Sequence, residues 1–209
     1  MIPKVIHQTW KNDKLPRNFA VWHQKVKNLN PKCEVKLWTD ADINLFMEKE
    51  FPEHLALFNA YEQPIERVDA WRYFVLHHQG GMYLDLDMDP HSSFEELFDN
   101  DLVLALEPPR YAKTQQLPYM ISQAVMFAKP KDPFFAHVIN RLKDFAHIKK
   151  RKPLSTTGPI FITNVYEEFK PGGVLLAYDC FSEKNIGKYA SHKCTGSWRK
   201  TNVSPVRAS

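Results

Sequence analysis

The sequence predicts an α/β layered fold around a largely parallel sheet, and three observations carry that reading. Strand-like apolar runs alternate with helical ones from the first residues onward, in β-α-β-α order. The stretch from Pro64 to Asp89, PIERVDAWRYFVLHHQGGMYLDLDMD, passes from a helical pattern through a two-glycine stop into an apolar strand carrying alternating aspartates. The 209 residues, 44% hydrophobic and 25% charged, are enough for one sizeable core of ordinary globular composition.

Lys4 to Trp10 alternates as a strand would, with Trp10 at its end. A loop rich in Asn, Asp, Lys and Pro leads to a helix over Arg17–Leu29, which Asn30-Pro31 breaks. Glu34 to Trp38 reads as the second strand, and Thr39 or Asp40 caps a helix running to about Glu50. Pro52 opens a short helical piece. Pro64 suits the first turn of the central helix, where its missing N–H leaves no bond unmade. Ile65, Val68, Trp71, Val75 and Leu76 recur at helical spacing. Gly80 and Gly81 permit a left-handed cap. Met82, Tyr83, Leu84, Leu86 and Met88 then form a strand interrupted at Asp85, Asp87 and Asp89.

Ser92 or Ser93 caps the turn FEELF, and Leu102 to Leu106 is a strand ending in Glu107-Pro108-Pro109. Arg110 to Tyr119 shows no period and reads as a mobile loop at the mouth of a cleft. Gln123 to Ala128 is another strand, and Pro133 opens a helix to about Ala146. Helix over Gly158–Phe169 follows STTGP, Gly173 to Tyr178 is a late strand, and the tail from Ser182 is irregular and polar. Neither repeats nor low-complexity segments interrupt this order.

Bulk properties narrow the partners. A net charge of +4 suits an anionic substrate and does not demand nucleic acid. Cys33, Cys180 and Cys194 lack metal-site spacing and leave an odd thiol, which favours a reducing compartment. No apolar run approaches the roughly 20 residues of a membrane span. A strand beginning almost at Met1 leaves no room for a signal peptide, so the expectation is cytoplasmic unless this is a piece of an anchored protein. Lys149 to Lys152 is a run of four positive charges, either a solvated corner or a peripheral contact with an anionic membrane surface.

The acidic strand end carries the chemistry. Carboxylates two residues apart on a strand project to one side. Desolvating two anions together is unfavourable without a cation, and a hard divalent ion, Mg²⁺ or Mn²⁺, is the simplest one. Asp69 and Arg72, three apart, share a helix face. They can hold the charged and hydroxylated parts of a sugar phosphate, or form an ordinary surface ion pair. Asp85 and Asp87 taken alone have turn chemistry after a strand as their lesser reading.

DAWRYFVLHHQGGMYLDLD resembles the D-x-x-R-x-x-x-L-x-x-x-G-G-x-Y-x-D-x-D block of the DxD-containing sugar transferases of glycosyltransferase family 32. That family includes yeast-type α-mannosyltransferases and bacterial capsule or lipopolysaccharide transferases, and it is similar to the glucosylating domains of clostridial toxins. IPKVIHQTW, STTGP and HKCTGSW resemble its other blocks, in the expected order over nearly the whole chain. The resemblance implies a GT-A-like nucleotide-sugar-binding fold, a mostly parallel central sheet flanked by helices. It implies a single domain over 1–209 whose tail, from about 182, closes over the donor. The implied reaction is metal-dependent, retaining transfer of a hexose from GDP-mannose or a UDP-hexose to a glycan or glycolipid hydroxyl.

Roles carry over residue by residue. Asp87 matches the direct ligand of Mn²⁺ or Mg²⁺, Asp85 a metal or ribose contact, and His192 a third ligand. Gly196, Ser197 and Trp198 match groups near the diphosphate. Trp10 matches the aromatic that stacks on the base, and Asp69 and Arg72 the pair on donor-sugar hydroxyls and phosphate. Asp85, Asp87 and Arg72 form the implied catalytic set. Gln123 stands where the family has Asn, which leaves its sugar contact open, and Thr157 is the candidate beside sugar or acceptor, or a helix cap. Asp89 falls outside the matched pair and is either a partial ligand or a turn residue. A covalent route would need a carboxylate on the far face of the sugar, for which Glu107 is the only suggestion, so same-face attack is favoured.

Rival classes fit less well. Asp85, Asp87, Asp89 and Glu96 fall at EF-hand positions, but Pro90 occupies the sixth, where positive φ is required. A haloacid-dehalogenase-type phosphohydrolase would place its D-x-D near the N-terminus and lacks a place for Asp89. A catalytically inactive nucleotide-sugar and metal binder is the remaining alternative.

Overall fold

The structure, a computed structural model, describes residues 1–145, 152–183 and 187–196. The chain runs β1 (Val5–Thr9), α1 (Arg17–Leu29), β2 (Glu34–Trp38), α2 (Asp40–Glu50), α3 (Leu55–Asn59), α4 (Pro64–Gln79), β3 (Gly81–Leu84) and β4 (Met88–Pro90). It continues through β5 (Leu102–Leu106), α5 (Pro109–Thr114), β6 (Ile121–Ala128), α6 (Pro133–Leu142), α7 (Pro153–Thr156), α8 (Pro159–Phe169), β7 (Val174–Leu176) and β8 (Ala190–His192). Six strands form a sheet in the order β2-β1-β3-β6-β5-β7, and β4 pairs with β8 apart from it. Only β6 runs against its neighbours, so the sheet is mostly parallel.

The alternation of strand side chains divides the core between the two faces. Tyr83 packs in a layer with Trp71, Phe74, Phe134 and Phe161, whereas Met82 and Leu84 join Ile6, Phe94, Phe98 and Phe127 on the other side. Every residue of β3 is buried, as expected for a strand covered on both faces. α4 is central: Asp69 through Leu76 are all buried, so its polar residues lie inside the protein rather than on a wet face. Two glycines make that placement sterically feasible. A Cβ on Gly80 would lie 2.7 Å from the Pro130 ring, and one on Gly81 2.5 Å from the Val5 carbonyl oxygen. Both have positive φ, +67° and +97°.

Capping agrees with the local sequence: the Thr39 hydroxyl accepts from the Asp42 N–H and the Asp42 carboxylate accepts from the Thr39 N–H. Three elements differ from expectation. Arg110 to Thr114 is helical within α5, because Pro109 supplies a pre-set first turn. The LDLDMD run is not one strand. It leaves β6 after Asp85, turns through Leu86 and Asp87 with Met88 N–H bonded to the Asp85 carbonyl at 3.2 Å, and resumes as β4. Its period of two was compatible with either course, and the change of partner from β6 to β8 splits it. For the same reason the tail is not wholly irregular, since β8 needs β4 to exist. Ser197, Trp198 and Lys149 to Arg151 lie outside the described residues. Among the described residues no helix is long and apolar enough to cross a membrane.

Candidate active site

A cleft of about 520 Å³ opens where β1 and β3 end. Its lining includes Trp10, Asp69, Arg72, Asp85, Asp87, Gln123, His192 and Gly196.

α4 carries Asp69 and Arg72 one turn apart and buries both. Arg72 Nη2 lies 3.3 Å from Asp69 Oδ1 and 3.2 Å from Asp85 Oδ1, and its Nη1 donates to the Gln123 backbone carbonyl at 3.4 Å. The guanidinium sits over the Tyr83 ring, 4.6 Å from the centroid, while Tyr83 donates its hydroxyl proton to Asp85 Oδ1 at 2.8 Å. Arg72 Nε has no hydrogen-bond partner among the described residues. One cation therefore serves two carboxylates. Burial pushes the Asp69 carboxyl up to about 7; Arg72 opposes this, and the charges of Asp85 and Glu66 push it further up. Burial works against the charge on Arg72, but Asp85, Tyr83 and Asp69 hold it protonated.

Asp87 lies on the turn between β3 and β4, and the tail reaches it from the opposite end of the sequence. The β4–β8 register sets Met88 against His192. This brings His192 Nε2 to 3.2 Å from Asp87 Oδ1, and Thr195 N–H and Oγ1 each donate to Asp87 Oδ2 at 2.9 Å. Burial would raise the Asp87 pKa, but the bonds from His192 and Thr195 outweigh it and bring it to about 2. Burial likewise disfavours the His192 imidazolium, yet Asp87, the nearby Cys194 and Asp85 raise its pKa well above the ordinary range.

Ligand atoms of Asp85, Asp87 and His192 all lie within 4.8 Å of one another, the only such group of three or more among the described residues. Two carboxylates and one imidazole suit a hard or borderline divalent ion. A protonated His192 supplies the positive charge that the acidic pair attracts, the role an ion would take over. Thr195 orients Asp87 from behind, leaving Oδ1 toward the group. The residues fit Mg²⁺ or Mn²⁺.

The remaining expected residues divide clearly. Trp10 lines the cleft against Phe19, with ring centroids 4.7 Å apart, and Lys11 Nζ lies 5.6 Å from its ring. Gly196 lines the cleft too. Thr157 does not: it is fully buried behind the wall, its carbonyl accepting from Tyr73 OH at 2.7 Å and Gln123 Nε2 at 2.6 Å. Its hydroxyl sits beside the Asp69 carboxyl without a hydrogen bond of ordinary geometry. Asp89 points elsewhere, paired with Lys25 of α1 and with Lys193 at 3.2 Å. Glu96 pairs with Lys188 at 3.0 Å, so the four EF-hand positions do not converge. Glu107 lines the cleft, and burial pushes its carboxyl up against a bond from Ser122.

Sequence reasoning missed Tyr83, Thr195 and Glu183. Tyr83 was legible, because residues i and i+2 of a strand share a face and Asp85 follows it by two. Thr195 and Glu183 carried no such signal; Glu183 ties the tail to α5 through Arg110 and Tyr111, and accepts from Cys194 Sγ at 3.2 Å.

This sheet order and acidic cleft define a GT-A-type glycosyltransferase fold. The structure superposes on the PaToxG glycosyltransferase with a TM-score of 0.60, covering 81% of this chain and 70% of that one at 15% identity. Residues 16–104 match the family described as glycosyltransferase sugar-binding region containing DXD motif. The chain is 37% identical to mannosyl phosphorylinositol ceramide synthase CSH1 of Saccharomyces cerevisiae, over 81% of the chain and 44% of that protein. It is 32% identical to inositol phosphoceramide mannosyltransferase 3 of Schizosaccharomyces pombe, over 81% of the chain and 46% of that protein. The chain thus spans under half the length of these relatives.

Proposed function

We propose that this chain is the single GT-A-type domain of a metal-dependent, retaining hexosyltransferase, with a nucleotide-sugar donor and a glycan or glycolipid hydroxyl as acceptor. The observation that carries the reading is the convergence of Asp85, Asp87 and His192 on a cleft that Asp69, Arg72 and Trp10 also line. Asp87, Asp85 and His192 would hold Mn²⁺ or Mg²⁺. Such an ion supplies Lewis-acid stabilisation of the negative charge developing on the leaving diphosphate.

The chain's own groups account for the rest. Trp10 offers an aromatic face to the base. Arg72 and Asp69 offer a donor and an acceptor to sugar hydroxyls and phosphate, inside a site dry enough for those bonds to be strong. The tail from about residue 182 is proposed to close over the donor and exclude water. That closure is supported by the β4–β8 pairing and by the ties of Glu183 to α5. Its continuation, Gly196 with Ser197 and Trp198, is assigned to the diphosphate. Glu107 lines the cleft with its carboxylate bonded by Ser122, and same-face attack is the proposed course.

The relatives' names favour GDP-mannose over a UDP-hexose as donor, and a phosphoinositol-ceramide as acceptor. Lys152 directly precedes Pro153 and Leu154 of the cleft lining, so the basic run Lys149–Lys152 is assigned a peripheral contact with an anionic membrane surface. The test is release of nucleoside diphosphate with Mn²⁺, nucleotide sugar and a phosphoinositol-ceramide, with the product gaining one hexose in mass. Undiminished release by Asp87→Ala would refute the assignment.

A further inference from the structure

Beside Arg72 on α4 lies a closed set of three polar groups that the reaction does not explain. Gln123 Nε2 lies 2.6 Å from the Thr157 carbonyl oxygen, Tyr73 OH lies 2.7 Å from the same oxygen, and Gln123 Nε2 also bonds the Tyr73 oxygen. Tyr73 and Thr157 are fully buried and Gln123 nearly so.

The chemistry of these groups permits one orientation. A backbone carbonyl only accepts, so the amide atom facing Thr157 must be the NH₂ nitrogen. The single Tyr73 proton goes to the same carbonyl, which has two lone pairs. The Tyr73 oxygen is then free to accept the second amide proton. Both protons of Gln123 are engaged inside the protein, whereas no group among the described residues donates to its Oε1. Gln123 nevertheless lines the cleft, next to Asp69 and Arg72.

We propose that Tyr73 is a positioning residue: together with the Thr157 carbonyl it locks the Gln123 amide so that Oε1 alone is presented to the cleft, as acceptor for a hydroxyl of the donor sugar. This rests on the nucleotide-sugar reading of the cleft. Arg72 supplies N–H donors there, so a fixed acceptor beside it completes a hydroxyl-specific subsite. A side chain free to turn would offer NH₂ or oxygen alike and discriminate less. Burial holds the Tyr73 pKa far above its usual value, so the lock keeps its proton at every working pH.

The test reads the sugar separately from the nucleotide. Affinities of GDP, GDP-mannose, UDP and UDP-glucose, each with Mn²⁺, are measured for the parent, Tyr73→Phe, Gln123→Leu and the double variant. The expected result is that Tyr73→Phe keeps diphosphate affinity within about twofold, while the advantage of nucleotide sugar over diphosphate falls about five- to tenfold, the scale of one hydrogen bond. Gln123→Leu should lose as much, and the double variant no more than either. An unchanged advantage in Tyr73→Phe, or losses that simply add, overturns the inference. If the parent binds none of the four nucleotides, the proposed function itself falls and this inference with it. Should Tyr73→Phe not fold, deoxy analogues of GDP-mannose replace it. One position should weaken binding about tenfold in the parent and not at all in Gln123→Leu; equal losses in both refute the proposal.

Discussion

His192 Nε2 stands 3.2 Å from Asp87 Oδ1, joining the third residue of a tail strand to the turn that follows the central strand. Neither residue forms the proposed metal site alone; β4–β8 pairing brings them together with Asp85. His192→Ala should therefore weaken Mn²⁺ binding, read by the paramagnetic resonance of free Mn²⁺, by roughly 10- to 100-fold, the range seen when groups around a metal are removed. Turnover at saturating Mn²⁺ should recover in part. Asp87→Ala should not recover, because it also strands Thr195. Equal Mn²⁺ affinity in parent and His192→Ala would remove His192 from the ligand set.

Asp89 gives the contrasting case. It is third in the aspartate series but is clamped between Lys25 and Lys193. Asp89→Asn should loosen the strand that holds His192, raising the Mn²⁺ concentration for half-maximal release severalfold while leaving maximal release near the parent's. A loss as deep as that of Asp87→Ala would make Asp89 a ligand and overturn the division drawn here.

What was legible in the sequence follows from range. α4, its glycine stop, β5 and the capping at Thr39 are written in neighbouring residues, where periodicity and cap chemistry operate. The D-x-x-R pair was legible as chemistry because it shares one face of α4, and the D-x-D pair as an acidic cluster, although its carboxylates sit on the turn after β3 rather than along one strand. The split of LDLDMD into two strands was not legible, since alternation says nothing about which strand lies alongside. Thr195 was hidden for the same reason. The inward course of Thr157 was equally hidden: its role depends on Tyr73 and Gln123, which contact it only through tertiary packing.

Arg72 answers two carboxylates at once, the buried Asp69 and the half-buried Asp85, so its removal should be felt in stability as well as in binding. Arg72→Met keeps the length of the side chain but leaves Asp69 and Asp85 without a counter-charge. Breaking such a buried set costs about 3–5 kcal/mol. Urea unfolding at neutral pH should show that loss, and acidification should return part of it as Asp69 takes up a proton. Arg72→Lys should also lose donor affinity, because one ammonium cannot reach Asp69, Asp85 and the Gln123 carbonyl as a planar fork does. A full-strength Arg72→Lys enzyme would contradict this geometry.

Gly81 is fixed by contact more than by conformation. Gly81→Ala would set a methyl 2.5 Å from the Val5 carbonyl at φ +97°, between two paired strands that have no room to part. Strain of this kind and overpacking each cost about 1–3 kcal/mol. The melting temperature should drop by several degrees, roughly 2–4 °C for each kcal/mol at this chain length. Gly172→Ala, where a Cβ meets nothing within 4 Å, is the control and should leave stability unchanged.

His7 supplies one part of the pH dependence of the fold. Its Nδ1 accepts from Trp38 Nε1 at 3.1 Å, so the proton resides on Nε2 and is donated to the Gly80 carbonyl at 2.9 Å. A second proton would displace the indole bond in a fully buried site. Burial lowers the pKa to about 4, the Gly80 bond opposes this, and Lys36 lowers it further. Above pH 6.5 the ring is neutral in both folded and unfolded chains and contributes no slope. Below 6.5 the unfolded chain binds a proton that the folded chain refuses until about pH 4, so stability must fall across that window as pH falls. At 1.36 kcal/mol per pH unit the loss amounts to roughly 3 kcal/mol. Asp69, with its pKa raised to about 7, works in the opposite direction, since acid relieves it. The parent's slope is therefore a difference, and the informative measurement compares it with His7→Gln, whose amide can both accept from Trp38 and donate to Gly80. Urea unfolding between pH 7 and pH 4.5 should show the variant gaining on the parent as pH falls; parallel curves would mean that His7 ionises as freely in the folded protein as in the unfolded chain.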